Sequence, residues 1–186
     1  MTVMAPVPID QQEDEEMLVP HSDLTENNHQ PMEVVAQAES ASTVESQPVE
    51  DPPSSRFTWR IDNFSRVNAN RIYSETFIVG GYQWRVLLFP KGNNVDYLSM
   101  YLDVADASNL PKGWCRYAQF SLQVINQTDN EDSVRKGTQH QFNAREIDWG
   151  FTSFMPLGEL YDPDRGYLVD DALIVEAEVL VRRFAF

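Results

Sequence analysis

Leu173-Ile174-Val175-Glu176-Ala177-Glu178-Val179-Leu180-Val181 decides the fold class of this chain. Leu173, Val175, Ala177, Val179 and Val181 recur at every second position, the period of a pleated strand with one buried face. The same alternation runs backwards through the chain. Trp114 to Asn126 places Phe120, Leu122 and Val124 on one side, with Gln119, Ser121 and Gln123 on the other. Tyr97 to Val104 alternates Tyr97, Ser99, Tyr101 and Asp103 against Leu98, Met100, Leu102 and Val104. Tyr82 to Phe89 aligns Trp84, Val86 and Leu88, and Phe57, Trp59 and Ile61 alternate with Thr58 and Arg60.

Between these strands lie turn signals. Gly80-Gly81 joins the run Arg71 to Val79 to the next strand and predicts a tight hairpin. Asp62-Asn63, Pro90 to Asn94, Asp106 to Gly113, Asn126 to Glu131 and Asp162 to Gly166 are loops by composition. Ser133 to Phe142 is a polar strand suited to an edge. Met155 to Leu160 predicts a single helical turn opened by Pro156. Seven or eight short strands with turns between them predict an antiparallel β-sandwich.

The chain has two unlike parts. Residues 1–55 carry 12 of the 29 acidic residues, 7 of the 11 prolines, and no aromatic, Lys or Arg residue. Their net charge is −12, against 14 − 17 = −3 for residues 56–186. Such a segment cannot bury enough apolar surface to offset its ordering entropy, so it is expected to be a disordered acidic tail. The other 131 residues suit one domain with one core.

Several function classes are disfavoured. The acidic balance argues against a nucleic-acid partner. No apolar run approaches ~18 residues and no secretory signal opens the chain, which argues against a membrane partner and for cytoplasm or nucleus. The folded part has one cysteine, Cys115, and one histidine, His140: too few for a zinc site, and expected to be a small buried thiol and a surface histidine rather than a catalytic pair. Asp162, Asp164, Asp170 and Asp171 bracket a turn but lack the regular oxygen spacing of a calcium loop. No cofactor is expected, and the chain reads as a binding module and not an enzyme.

The candidate site is Ile147-Asp148-Trp149-Gly150-Phe151. Asp148 offers acceptor oxygens, Trp149 a flat wall, and Gly150 room for a second backbone. From the residues alone, Trp149 and Phe151 as core with Asp148 capping a turn is the reading that comes first.

Phe57-Thr58-Trp59-Arg60-Ile61-Asp62-Asn63-Phe64-Ser65, then Trp84 to Gly92, then Asp148-Trp149-Gly150-Phe151, together resemble the MATH domain, the meprin and TRAF homology fold, over residues 56–183. Within that family the chain is most similar to the N-terminal domain of plant ubiquitin-specific proteases, relatives of the herpesvirus-associated ubiquitin-specific protease. The resemblance implies an eight-stranded antiparallel sandwich after a disordered tail, with residues 184–186 as a C-terminal end. It implies a shallow groove for short extended peptides, with a small or proline-like residue followed a few positions on by serine. Trp149 would be the wall for the small residue and Asp148 would accept the serine hydroxyl. Backbone groups around Gly150 and Phe151 would pair with the peptide. Lys91 falls where the animal relative has an arginine that helps hold the peptide, and Lys is a point charge without the guanidinium fork. In such proteases the catalytic boxes lie beyond this stretch, so the chain is expected to lack them, whether as a fragment, a truncated product or a mispredicted gene. Its role would be to recruit ubiquitinated substrates or partners to the full-length enzyme. Two other binding roles stay open: an adaptor for a cullin ligase through a BTB domain, and a carbohydrate-binding sandwich.

Overall fold

The computed structural model describes residues 53–182. The expected tail up to residue 52 and the end from residue 183 lie outside the described residues. Two antiparallel sheets form a sandwich. The first has the order β1 (Ser54–Ile61), β10 (Ala172–Arg182), β6 (Cys115–Val124), β7 (Val134–Asn143), with the short β9 (Leu168–Val169) also on β10. The second has the order β2 (Ile72–Tyr73), β4 (Tyr82–Phe89), β5 (Tyr97–Val104), β8 (Asp148–Pro156), with β3 (Phe77–Val79) also on β4. Among the described residues eight strands have three or more residues and two are two-residue pairs, which matches the expected eight-stranded sandwich.

Alternation explains the layers. The inner face of β10 buries Leu173, Val175, Ala177, Val179 and Val181, all at 0 % exposure. They meet Ala118, Phe120, Leu122 and Val124 of β6, and across the sandwich Trp84, Val86 and Leu88 of β4 and Leu98, Met100, Leu102 and Val104 of β5. Trp84 packs edge-on against Phe142 of β7, with centroids 5.2 Å apart. Such rings carry much of a small core's burial free energy, about 2–3 kcal/mol for each large side chain.

Turn chemistry fits the hairpins. Gly80 and Gly81 both take positive φ (61° and 80°) between β3 and β4, as a twist-matched two-residue turn requires. Asp170 and Asp171 do the same between β9 and β10 (51° and 58°), and the Asp171 carboxylate accepts bonds from the Ser65 amide and hydroxyl. The α1 turn (Leu157–Leu160) follows Pro156, while Met155 belongs to β8.

Three expectations are corrected. Ser54 and Ser55 are not tail: they pair with Leu180 and Val179 at the start of β1. Arg71 to Val79 is not one strand. Buried Ser74 breaks it, its hydroxyl accepting the Val86 amide and its own amide donating to the Val86 carbonyl. The third concerns Cys115 and His140, whose burial is the reverse of that expected. Cys115 is exposed and the His140 side chain is 13 % exposed. In the β6–β7 ladder Cys115 stands opposite Asn143 and His140 opposite Ala118. An odd offset separates those pairs, so the thiol and the imidazole point to opposite faces and cannot form a nucleophile–base pair.

The two open sides of the sandwich are closed differently. On one, Phe57 of β1 stacks on Phe77 of β3 at 4.4 Å. On the other, β7 and β8 run beside each other as the outermost strands of their sheets. There Lys136 donates to the Ser153 carbonyl at 2.9 Å and His140 lies flat on Trp149. β7 is thus the polar edge strand that its composition predicts.

The candidate peptide-binding edge

β8 pairs with β5 on one side only, so among the described residues no strand pairs with its other edge, where Lys136 bonds the Ser153 carbonyl. The register sets what that edge presents. Val104 donates its amide to the Ile147 carbonyl, directly opposite it. Hydrogen-bonded and non-hydrogen-bonded pairs alternate from there. Trp149 and Phe151, opposite Leu102 and Met100, turn their amides and carbonyls toward β5. Asp148 and Gly150, opposite Asp103 and Tyr101, turn theirs to the free edge. A second chain laid along β8 would find those backbone groups unpaired.

Side-chain parity then divides the block. Trp149 and Phe151 share the inner face, while Asp148 shares the outer face with Asp103 and Tyr101. Phe151 is half-buried, 6.0 Å from the Phe154 ring centroid, with the Lys136 ammonium 6.0 Å from its own. Trp149 is not core: it is 39 % exposed. One indole face is covered by the His140 imidazole, stacked parallel at 3.9 Å. Gly150 is required by close approach. A Cβ there would lie 2.3 Å from the Met100 carbonyl oxygen and 2.6 Å from the Tyr101 Cα.

Asp148, Trp149 and Gly150 line a shallow trough of about 400 Å³ together with Tyr101, Arg145, Glu146, Ile147 and Thr152. Phe151 and Lys91 are not among its lining residues. Lys91 is exposed, in the turn where the Gly92 amide bonds the Phe89 carbonyl. The floor is held by a polar chain. Asn93 donates its side-chain amide to the Tyr101 hydroxyl, which bonds the Thr152 hydroxyl at 2.8 Å. Ser99, fully buried, donates to the Thr152 carbonyl at 2.6 Å and accepts the Asn93 amide. That bond absorbs a bulge: the register slips between Leu98 and Met100, setting Ser99 against three residues of β8.

Electrostatically the outer face is a carboxylate pair among arginines. Asp103 is buried and bonded to Arg85 Nε, and the Arg85 guanidinium lies over the Tyr73 ring at 3.9 Å. Burial outweighs that arginine and raises the Asp103 pKa, with Asp148 adding to the rise. Burial also raises the Asp148 pKa, opposed by Arg71. Asp148 is therefore an acceptor held above its usual carboxylate range but still half open to solvent.

Tyr101, Thr152, His140 and the Asp103–Arg85–Tyr73 group were not among the candidates from sequence. Tyr101 carried a signal, since alternation put it on one face with Asp103. The others become neighbours only through register. Among the described residues no cluster of His, Cys, Asp or Glu could hold a metal, and no helix is long and apolar enough to cross a membrane.

Comparison with known proteins agrees with the fold. The chain is similar to ubiquitin C-terminal hydrolases 12 and 13 of Arabidopsis thaliana, 68 % and 66 % identical over 183 residues. The match covers 98 % of this chain and 16 % of each hydrolase. A MATH domain and coiled-coil domain-containing protein of the same plant is 48 % identical over 67 % of this chain and 43 % of its own. The fold is similar to that of TRAF5 from Notothenia coriiceps, with a TM-score of 0.51 and 18 % identity over 70 % of this chain and 74 % of that one. The MATH domain profile matches residues 56–179, and the chain belongs to the MATH domain family of protein-interaction modules.

Proposed function

We propose that this domain captures short extended peptides along the free edge of β8, and so recruits substrates or partner proteins to a ubiquitin-specific cysteine protease in the cytoplasm or nucleus. The observation that supports it most is the edge itself: unpaired backbone groups of Asp148 and Gly150 flanked by the exposed face of Trp149. Strand addition supplies affinity through main-chain bonds and selectivity through side chains on either side. Trp149 is the wall for a small or proline-like residue. Asp148, with Tyr101 and Thr152 beside it, accepts the hydroxyl of a serine further along. The hydrolase relatives, at 66–68 % identity, are the reason a protease pathway is preferred to a BTB adaptor. They exceed this chain several-fold in length, so the link to ubiquitin removal belongs to the proposal.

Recognition on so shallow a surface is expected at a Kd of about 10–100 μM, or roughly 5.5–7 kcal/mol. Titration with a blocked peptide of small-x-x-Ser pattern, followed by ¹⁵N NMR, should move resonances of Asp148, Trp149, Gly150, Tyr101 and Thr152. Shifts confined to another face, or none at millimolar peptide, would overturn the reading.

A further inference from the structure

The β7–β8 seam brings together two side chains that no sequence motif links. The His140 imidazole lies parallel to the Trp149 indole, with centroids 3.9 Å apart. Phe142 meets the imidazole edge-on at 5.1 Å and fixes its plane from the core side. His140 Nε2 is buried with no hydrogen-bond partner among the described residues, and the Glu146 carboxylate stands 3.7 Å away, short of a bond. An imidazole that forgoes a hydrogen bond is held by its ring contacts. The indole gains a rigid plate on one face while its other face stays open.

We propose that His140 is a positioning residue for Trp149: it backs the indole so that the open face stands ready at the trough. This deepens the peptide-capture reading and rests on it.

The pH dependence follows from the surroundings. Trp149 on β8 and Ala118, opposite His140 on β6, carry no charge. Arg116 on β6 stands opposite Phe142 and is held bidentately by Asp106. Lys136, on the same face of β7, is bonded to the Ser153 carbonyl. Asp148 points to the other face of β8. Glu146 is the one carboxylate beside the ring, and burial outweighs it, so the His140 pKa falls below its ordinary value near 6.5. By linkage, protonation destabilises the buried imidazole by the free energy that lowers its pKa, against the attraction of an imidazolium for the indole face.

The test uses the full 186-residue chain. Four tryptophans give four indole N–H resonances, and loss in Trp149→Phe assigns the one that matters. Between about pH 7.5 and 5 that resonance should titrate, with a midpoint below 6.5. In His140→Phe, which keeps a flat ring on the indole, it should stay near its neutral position. A blocked Ala-Gly-Gly-Ser peptide is the affinity probe. His140→Phe should bind it within about twofold of wild type and His140→Ala about 5-fold more weakly. An indole titration unchanged in His140→Phe, or wild-type affinity in a folded His140→Ala, overturns the proposal. Should His140→Ala fail to fold, the His140→Phe titration decides alone. If the wild-type chain binds no peptide while the indole still follows His140, the peptide reading falls and the backing role stands.

Discussion

β10 and β8 are strands of similar length with opposite uses. β10 is hydrogen-bonded on both sides, by β1 and β6. Its alternation runs unbroken from Leu173 to Arg182, and every second side chain is buried. β8 is bonded on one side. In nine residues it contains a glycine pressed against a neighbouring backbone, a bulge, and an exposed indole. The contrast separates what a strand needs to fold from what it needs to bind. A central strand gains from regularity, because each residue has partners on two sides and a core below. An edge strand that receives another chain must keep donors and acceptors unpaired, which invites indiscriminate pairing. β8 limits that hazard with its bulge, and its Asp148 and Trp149 side chains restrict which chain can add.

The sharpest way to break the contrast is to damage β10. Leu173 is fully buried, so Leu173→Ala should cost about 2–5 kcal/mol of stability through lost burial and the cavity left behind. Urea denaturation would measure it, while the folded fraction should keep its peptide affinity. Gly150→Ala comes next. Its Cβ would sit inside contact distance of the Met100 carbonyl and Tyr101 Cα, so β5 and β8 must move apart, at about 1–3 kcal/mol. Unlike Leu173→Ala, it should weaken peptide binding in the molecules that still fold. Equal affinity in folded wild type and Gly150→Ala would show that the close β5–β8 contact does not shape the edge. Trp149→Ala should show the reverse pattern to Leu173→Ala. Removing the wall should weaken binding by about 2 kcal/mol or more if it is the central contact, with the circular dichroism spectrum unchanged. Loss of the fold in that variant would return Trp149 to the core.

What could be read before folding follows the same division. The boundaries of β4 and β5 and the Gly80-Gly81 hairpin followed from alternation and turn chemistry, which are local. So did the β7 edge, from its lack of large apolar residues. The break at Ser74 did not, because its cause is a bond to Val86, twelve residues away. The site divides likewise. Asp148, Trp149 and Gly150 stand together in the chain and could be named as a block. Phe151 has the same parity as Trp149 but lies half-buried against Phe154 and does not line the trough. The partners Tyr101, Thr152 and His140 depend on register and on how one sheet edge lies beside the other, and a period of two specifies a face without specifying a neighbour. The opposition of Asp103 and Asp148 was hidden for the same reason.

That opposition gives a smaller effect with a defined sign. Burial raises the folded-state pKa of Asp148 above the ordinary carboxylate value. A raised folded pKa is a stabilising contribution present at low pH and lost as pH rises through the folded value. At neutral pH the charged Asp148 therefore costs stability, with Asp103 directly opposite. Asp148→Asn should melt slightly higher than wild type at pH 7, and the difference should shrink as the pH falls toward about 4, where both carboxyls take up protons. The same variant should bind a serine-containing peptide less well, because it trades the charged acceptor for a neutral amide. A melting difference that widens with acid would reverse the sign assigned to this pair.

Lys91 should give the smallest effect, and its smallness sharpens the comparison between edge and periphery. The side chain is exposed in the turn after β4 and is not among the residues lining the trough. A solvated ammonium at such a distance acts through a screened field whose range is about 8–10 Å at physiological salt. It changes encounter rate more than bound-state energy. Lys91→Ala should therefore shift Kd by less than about twofold, mostly through the association rate, and the shift should vanish at about 1 M salt, where the screening length falls to about 3 Å. Lys91→Arg is the informative companion. If a guanidinium there reaches a peptide carboxylate, affinity for peptides with an acidic residue should rise, because the fork binds a carboxylate bidentately where an ammonium cannot. No gain for acidic over neutral peptides in Lys91→Arg would confine recognition to the β8 edge and its facing residues on β5 and β7.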